Sequence, residues 1–284
     1  MNKIISCTDG SIYAPSIYDH SAWVAKRTGA KIHVMHMLDP NLSKHNQADL
    51  SGNFGLDAGD DLLDEMVQFE ETKNRIARER GKAILQAARK HLEDLEITEV
   101  KTEQQIGSLI ETVAKLEKNA DLVVIGKRGE SADFATGHLG SNLERIIRAS
   151  ANPVLVAARS FKPINAFALA YDGGPSTEKA LHFALQQPLL KGLTCHLIRA
   201  GNLDDKAKWY LEEAAEKLRQ AGYSVHVRAI PGEPEKAIAE TIKKEKIQLL
   251  VMGAYGHSRI RQFIVGSTTT AMIRSCLVPV LMFR

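Results

Sequence analysis

The sequence predicts an α/β protein made of two tandem, doubly wound domains. Three observations carry that expectation. Short apolar runs alternate with stretches of helical periodicity along the chain, the pattern of parallel β-α-β units with right-handed crossovers. A glycine-punctuated stretch occurs twice, as Asp121–Ser141 (DLVVIGKRGESADFATGHLGS) and as Leu249–Ser267 (LLVMGAYGHSRIRQFIVGS), each leading through a helical segment to a proline-started apolar run. Gly140 and Gly266 stand 126 positions apart, as do Pro153 and Pro279, so the chain is an internal duplication. Its 284 residues suffice for two domains of ordinary size.

In the first half, Lys3–Thr8 is an apolar-rich strand ending at Asp9-Gly10-Ser11. A helix is expected from about Pro15 to Thr28, with Gly29 as its stop. Lys31–Leu38 is the second strand, closed by Asp39-Pro40. Asn41–Asp60 is polar, lacks periodicity and reads as a loop; a long charged helix, about Asp61–Leu92, follows. Thr98–Gln105 is the third strand, Ser108–Lys118 a helix, Asp121–Ile125 the fourth strand and Val154–Ala157 the fifth.

The second half repeats this in shorter form. Strands are expected at Ala166–Ala170, Thr194–Arg199, Ser224–Ile230, Leu249–Met252 and Val278–Met282. Helices fall at Pro175–Gln186, Asp204–Ala221, Glu235–Lys244 (after the turn Pro231-Gly232-Glu233-Pro234) and from Ser267 onward. Asp9 to Gly126 spans 117 residues and Asp172 to Gly253 spans 81; the excess of 36 falls after the second strand, around Asn41–Arg75. The join lies at Arg159–Asn165, giving domains 1–159 and 160–284.

Composition removes several classes. Hydrophobic residues make up 44% and charged residues 25%, ordinary for a globular protein. A net charge of +3 is too small to argue for nucleic acid, and no basic run interleaved with aromatics occurs. Lys73–Lys90 mixes signs and reads as a solvated helix face. No apolar stretch approaches membrane-spanning length, and Met1-Asn2-Lys3 leads straight into a strand without a signal-peptide core. Cys7, Cys195 and Cys276 are scattered, with no CxxC, which suggests buried thiols in a reducing compartment; a cytoplasmic location is the expectation.

The duplicated stretch has the order strand, glycine loop, helix start. Glycines let backbone N–H groups approach an anion, and a helix start adds unpaired donors and a favourable dipole. Ser267 and Thr268 add hydroxyls, and Arg259 and Arg261 positive charge. A plain turn with a serine cap is the bland alternative, weakened by the recurrence. In open parallel sheets, ligands lie beyond the carboxyl ends of the strands where the strand order reverses. That puts the Asp9 and Asp172 loops and the glycine loops at the corresponding edge of each sheet.

This pattern resembles the universal stress protein family in its tandem two-domain form. The carrying residues are Asp9-Gly10-Ser11, the strand end His36-Met37-Leu38-Asp39, the loop Gly253-x2-Gly256-x9-Gly266-Ser267, and the strands after Pro153 and Pro279. The resemblance implies, for each half, a five-stranded parallel sheet of order 3-2-1-4-5 flanked by helices, and ATP, with or without Mg²⁺, as ligand. It implies that Gly253, Gly256, Gly266, Ser267 and Thr268 bind phosphates and ribose, that Asp172 lies near the adenosine, that Met252 lines the nucleotide, and that the backbone of Ala200 reads the adenine edge. Asp172 is followed by Gly-Gly-Pro-Ser rather than Gly-Ser, a departure at the local turn.

The first half keeps Asp9, Met37, Gly126, Gly129, Gly140 and Ser141 as a second candidate site. Its loop is one residue longer and carries Glu130 and Asp133, which oppose a phosphate chain; Lys127, Arg128 and His138 act the other way. This site is expected to be weaker, altered or tuned to another ligand, and the extra segment is a candidate cover for it. Val154–Ala157 and Val280–Phe283 read as apolar sheet edges, which invite pairing. Single-domain family members dimerise through that strand, so the two halves are expected to pair as an internal pseudo-two-fold; a homodimer of chains stays open.

Other chemistries lack their motifs. There is no GxxxxGK[ST], no GxGxxG after a strand, no His-x-Gly-His pair in either glycine loop and no GxSxG elbow. His33 and His36 face opposite sides of one strand and read as structural, as does Cys276; His257 follows a loop glycine. No catalytic residue or metal ligand is singled out. Two function classes remain: a nucleotide-binding regulatory protein of the stress response, with ATP held mainly in the second half, or an ATP-independent interaction protein on the same fold. A slow ATPase is a weaker third.

Overall fold

The computed structural model describes residues 1–38, 59–127, 141–201, 204–254 and 267–284, and of residues 59–63, 141, 267 and 268 the backbone only. Ten strands form one sheet. In the first half they are β1 (Lys3–Thr8), β2 (Lys31–Leu38), β3 (Val100–Ile106), β4 (Leu122–Gly126) and β5 (Val154–Ala157). In the second half they are β6 (Ala166–Ala170), β7 (Thr194–Ala200), β8 (Val225–Ile230), β9 (Leu249–Gly253) and β10 (Val280–Phe283). The order across the sheet is β3-β2-β1-β4-β5-β10-β9-β6-β7-β8, so each half carries the expected order 3-2-1-4-5. Every pairing is parallel except β5 with β10, which is antiparallel, with Leu281 opposite Leu155 and Val280 opposite Val156. The two apolar edges expected from the sequence thus cover each other.

The central strands are apolar on both faces because helices cover both. Alternate residues feed two core layers: Ile4 joins one, Ile5 and Cys7 the other. Both layers run through the junction, Leu155, Leu281 and Phe283 on one side and Val156, Val280 and Met282 on the other. At ~25 cal/mol per Å² of apolar surface, such fully covered strands are the main source of stability. All three cysteines are buried free thiols, and burial pushes the Cys7 thiol up to about 12.

The helices are α1 (Ala14–Thr28), α2 (Gly59–Asp94), α3 (Leu109–Leu116), α4 (Ser141–Ala149), α5 (Pro175–Gln186), α6 (Asp205–Gln220), α7 (Pro234–Lys244) and α8 (Ser267–Ser275). Asp204, expected inside a helix, is instead its N-cap: its carboxylate accepts from the Ala207 amide at 2.7 Å. Among the described residues no helix is long and apolar enough to cross a membrane.

The excess of the first half appears where the spacing put it. α2 runs 36 residues against 16 for α6. Its stretch 64–80 is exposed apart from the half-buried Asn74 and Ala77, and it meets the edge strand β3 near its end, where Gln104 Nε2 donates to the Arg78 carbonyl at 3.2 Å. The rest of the excess, 39–58, falls outside the described residues.

Candidate functional site

In each half the chain leaves the first strand towards one side and returns to its other side as the fourth. The reversal lies between β6 and β9, which pair with Ala170 opposite Met252, and between β1 and β4. Asp172 follows β6 directly. Its Oδ1 accepts from the Gly174 amide at 2.8 Å and the Thr177 hydroxyl at 2.7 Å, shaping the turn into α5. Asp9 does less: its Oδ1 accepts from the Ser11 amide at 2.9 Å. Neither acid is a helix cap, since Tyr13 and Gly174 hold those positions. Gly10 and Gly173 sit at φ of 72° and 77°, the left-handed region that glycine enters freely.

Duplication extends to what stands over these turns. A β-carbon on Gly10 would fall 2.4 Å from Ile84 Cδ1 of α2, and one on Gly173 would fall 3.9 Å from Tyr210 Cβ of α6. Ile84 and Tyr210 are again 126 positions apart. The first turn is therefore tightly covered by an aliphatic side chain, while the second lies beside a part-exposed tyrosine.

Gly253 ends β9, where a β-carbon would come within 2.9 Å of Ser176 Cβ and 3.1 Å of Thr177 Cγ2. The glycine lets α5 approach the strand end. Met252 before it is buried opposite Ala170 and Met282. Ala200 closes β7, half-buried and opposite Ile230; its counterpart Met37 lies half-buried opposite Gln105. Gly126 closes β4. α8 starts at Ser267 and includes Thr268, and α4 starts at Ser141, as expected. Gly256, Gly266, Gly129 and Gly140 lie outside the described residues, as do Arg259, Arg261, Glu130, Asp133 and His138. The two ends of the second glycine loop are tied together, Thr269 Oγ1 donating to the Ala254 carbonyl at 2.7 Å.

Two charged residues change the sequence reading. Lys127, counted above as a cation beside the first glycine loop, points elsewhere: its ammonium donates to the carbonyls of Cys276 and Val278 in the other half. Burial lowers its pKa. Arg199, which the motif reading passed over, stands at the carboxyl end of β7 and donates from Nη1 to the Asp172 carbonyl at 2.6 Å. The corresponding position of the first half is His36, whose Nδ1 lies 3.0 Å from the Thr8 carbonyl. The only sequence signal for Arg199 was a cation closing an otherwise apolar strand.

His33 is buried with Nε2 2.9 Å from Glu103 Oε2. Hydrogen bonds from Lys101 and Gln105, with the charge of Lys101 and His33 beside it, hold Glu103 down to about 2. Among the described residues no three His, Cys, Asp or Glu side chains gather as a metal site.

Comparison with known proteins agrees with the duplicated architecture. The model of the Universal stress protein family matches residues 1–158 and again 165–284. A universal stress protein of Synechocystis is 38% identical over 287 residues, covering 100% of both chains. One from Mycobacterium tuberculosis is 26% identical over 206 residues, covering 65% of this chain and 69% of its own. A universal stress protein from Archaeoglobus fulgidus has the same fold, with a TM-score of 0.75 at 22% identity over 100% of this chain and 98% of that one. With two family matches side by side and a full-length relative, this chain belongs to the universal stress protein family, in its tandem form.

Proposed function

We propose that this chain is a nucleotide-responsive regulator of the stress response, binding ATP mainly in its second half. The observation that carries the reading is the convergence at one strand-order reversal of Asp172, the guanidinium of Arg199, the glycine that ends β9 and the N-terminus of α8. Backbone amides of the 253–268 stretch would hold the phosphates, together with the Ser267 and Thr268 hydroxyls. Asp172, Ala200 and Met252 would face the nucleoside. Arg199 supplies a guanidinium where the first half carries the imidazole of His36. In the first half, Ile84 over Gly10 and the diversion of Lys127 both favour a weaker or different ligand at Asp9, Met37, Gly126, Gly129, Gly140 and Ser141.

The test is calorimetric titration of the full chain with ATP, with and without Mg²⁺, beside mass spectrometry of adenine nucleotide released on denaturation. Gly266→Asp should reduce affinity at least tenfold, and Gly140→Asp should leave most of it. Absence of both copurified nucleotide and measurable ATP affinity would overturn the reading.

A further inference from the structure

We propose that the projecting N-terminal part of α2 is a docking surface for a second copy of this chain, with the two helices lying antiparallel. The second half has no counterpart to this segment. α6 starts after Asp204, and the matching position in α2 is Arg78, so α2 extends from there back to Gly59, roughly 30 Å at 1.5 Å per residue. On it, Met66, Val67, Phe69 and Ile76 are 44%, 53%, 67% and 60% exposed. At 100° per residue, Met66, Phe69 and Ile76 fall on one face, with Lys73 and Arg80 in the same row. The apolar stripe that packs on the sheet through Gly81, Leu85, Ala88 and Leu92 lies about a quarter-turn away. An exposed aromatic and aliphatic row of this kind marks an interface.

Charge selects the occupant. Residues 59–71 carry six carboxylates and no base; residues 72–82 carry five bases and one acid. An anionic membrane or a nucleic acid would be repelled by the first block, and a uniformly basic partner by the second. A partner must present both signs in reverse order, and a second α2 laid antiparallel does so. Of these charges, Glu65, Glu70, Lys73 and Arg80 lie on or beside the apolar row, and in the antiparallel pairing Glu65 and Glu70 of each copy fall near Arg80 and Lys73 of the other, whereas a parallel pairing sets like on like. The two-fold axis then falls near Glu71. Met66 meets Ile76 of the second copy, and Phe69 packs over the methylenes of its Lys73.

The experiment is sedimentation of the full chain at tens of micromolar, without nucleotide, so that its outcome is independent of the ATP reading. A dimer is expected, and the Phe69→Asp/Ile76→Asp double variant should be monomeric with an unchanged far-ultraviolet circular dichroism spectrum. Orientation is tested with a short bis-maleimide. A mixture of Met66→Cys and Ile76→Cys chains should cross-link several-fold more than either chain alone, the native thiols being buried. A monomeric parent chain, a double variant that still dimerises, or preferential cross-linking of Met66→Cys with itself would each overturn the proposal.

Discussion

Lys127, at the exit of β4, donates its ammonium proton to the carbonyl of Cys276, at the end of α8 in the other half of the molecule. It also reaches the Val278 carbonyl at 3.4 Å. A cation at a helix C-terminus is favourably placed against the macrodipole, and this one clips the halves together beside the β5–β10 pairing.

Lys127→Met should therefore destabilise the chain by about 1–3 kcal/mol in urea unfolding, since both carbonyls lose a donor. The cost should grow with pH. Burial lowers the lysine pKa in the folded state, so between that value and the ordinary pKa of about 10.4 the unfolded chain binds more protons, and the stability of the parent rises with pH. A gap between parent and variant that stays constant or narrows from pH 7 to 10 would contradict this.

Arg199→Ala should weaken ATP binding about tenfold, or about 1.4 kcal/mol, through loss of a cation beside the Asp172 turn. Calorimetry reads the affinity, and a melting curve separates it from collapse of the turn that Arg199 supports. An unchanged dissociation constant would remove Arg199 from the site.

Leu155 and Leu281 lie directly opposite each other where the halves meet, both fully buried. Each truncation to alanine should cost about 2–5 kcal/mol. The double variant should fall short of their sum by about 0.5–1 kcal/mol, as expected for a contacting cross-strand pair. Strict additivity in denaturant titrations would mean that the two halves are stabilised separately.

Glu103 contributes on the acid side. Its depressed pKa means its stabilisation is complete above the ordinary carboxylate pKa and disappears as pH falls from there to about 2. Glu103→Gln should lower stability near neutrality and flatten the acid-unfolding curve in that window, so that parent and variant converge at low pH. An unchanged slope would show that the network of Lys101, Gln105 and His33 is equally formed in the unfolded chain.

Much of the architecture was legible because it rests on local signals that occur twice. Periodicity placed all ten strands, Pro175–Gln186 is a helix with the bounds read from sequence, and the duplication foretold the repeated strand order. A boundary moved where long-range pairing decides it: the third strand starts at Val100, opposite Ile32 of β2, not at Thr98. The candidate site was half legible. Glycines and strand-end acids announce themselves by spacing, but a lysine gives no hint of which carbonyl it will reach. Neither the aim of Lys127 nor the placing of Arg199 under the Asp172 turn follows from neighbours in sequence. Nor did mixed charges in the long helix reveal that Met66 and Phe69 would face water.

The antiparallel seam between β5 and β10 has a stoichiometric consequence. Two separate single-domain subunits dissociate on dilution and exchange with other copies, so their halves drift towards identical pairs. Here one covalent chain supplies both, and an Ile84-covered turn accompanies a Tyr210-flanked turn at a fixed one-to-one ratio at every protein concentration. Divergence between the two crevices is thereby inherited as a unit, and a cell cannot titrate one against the other.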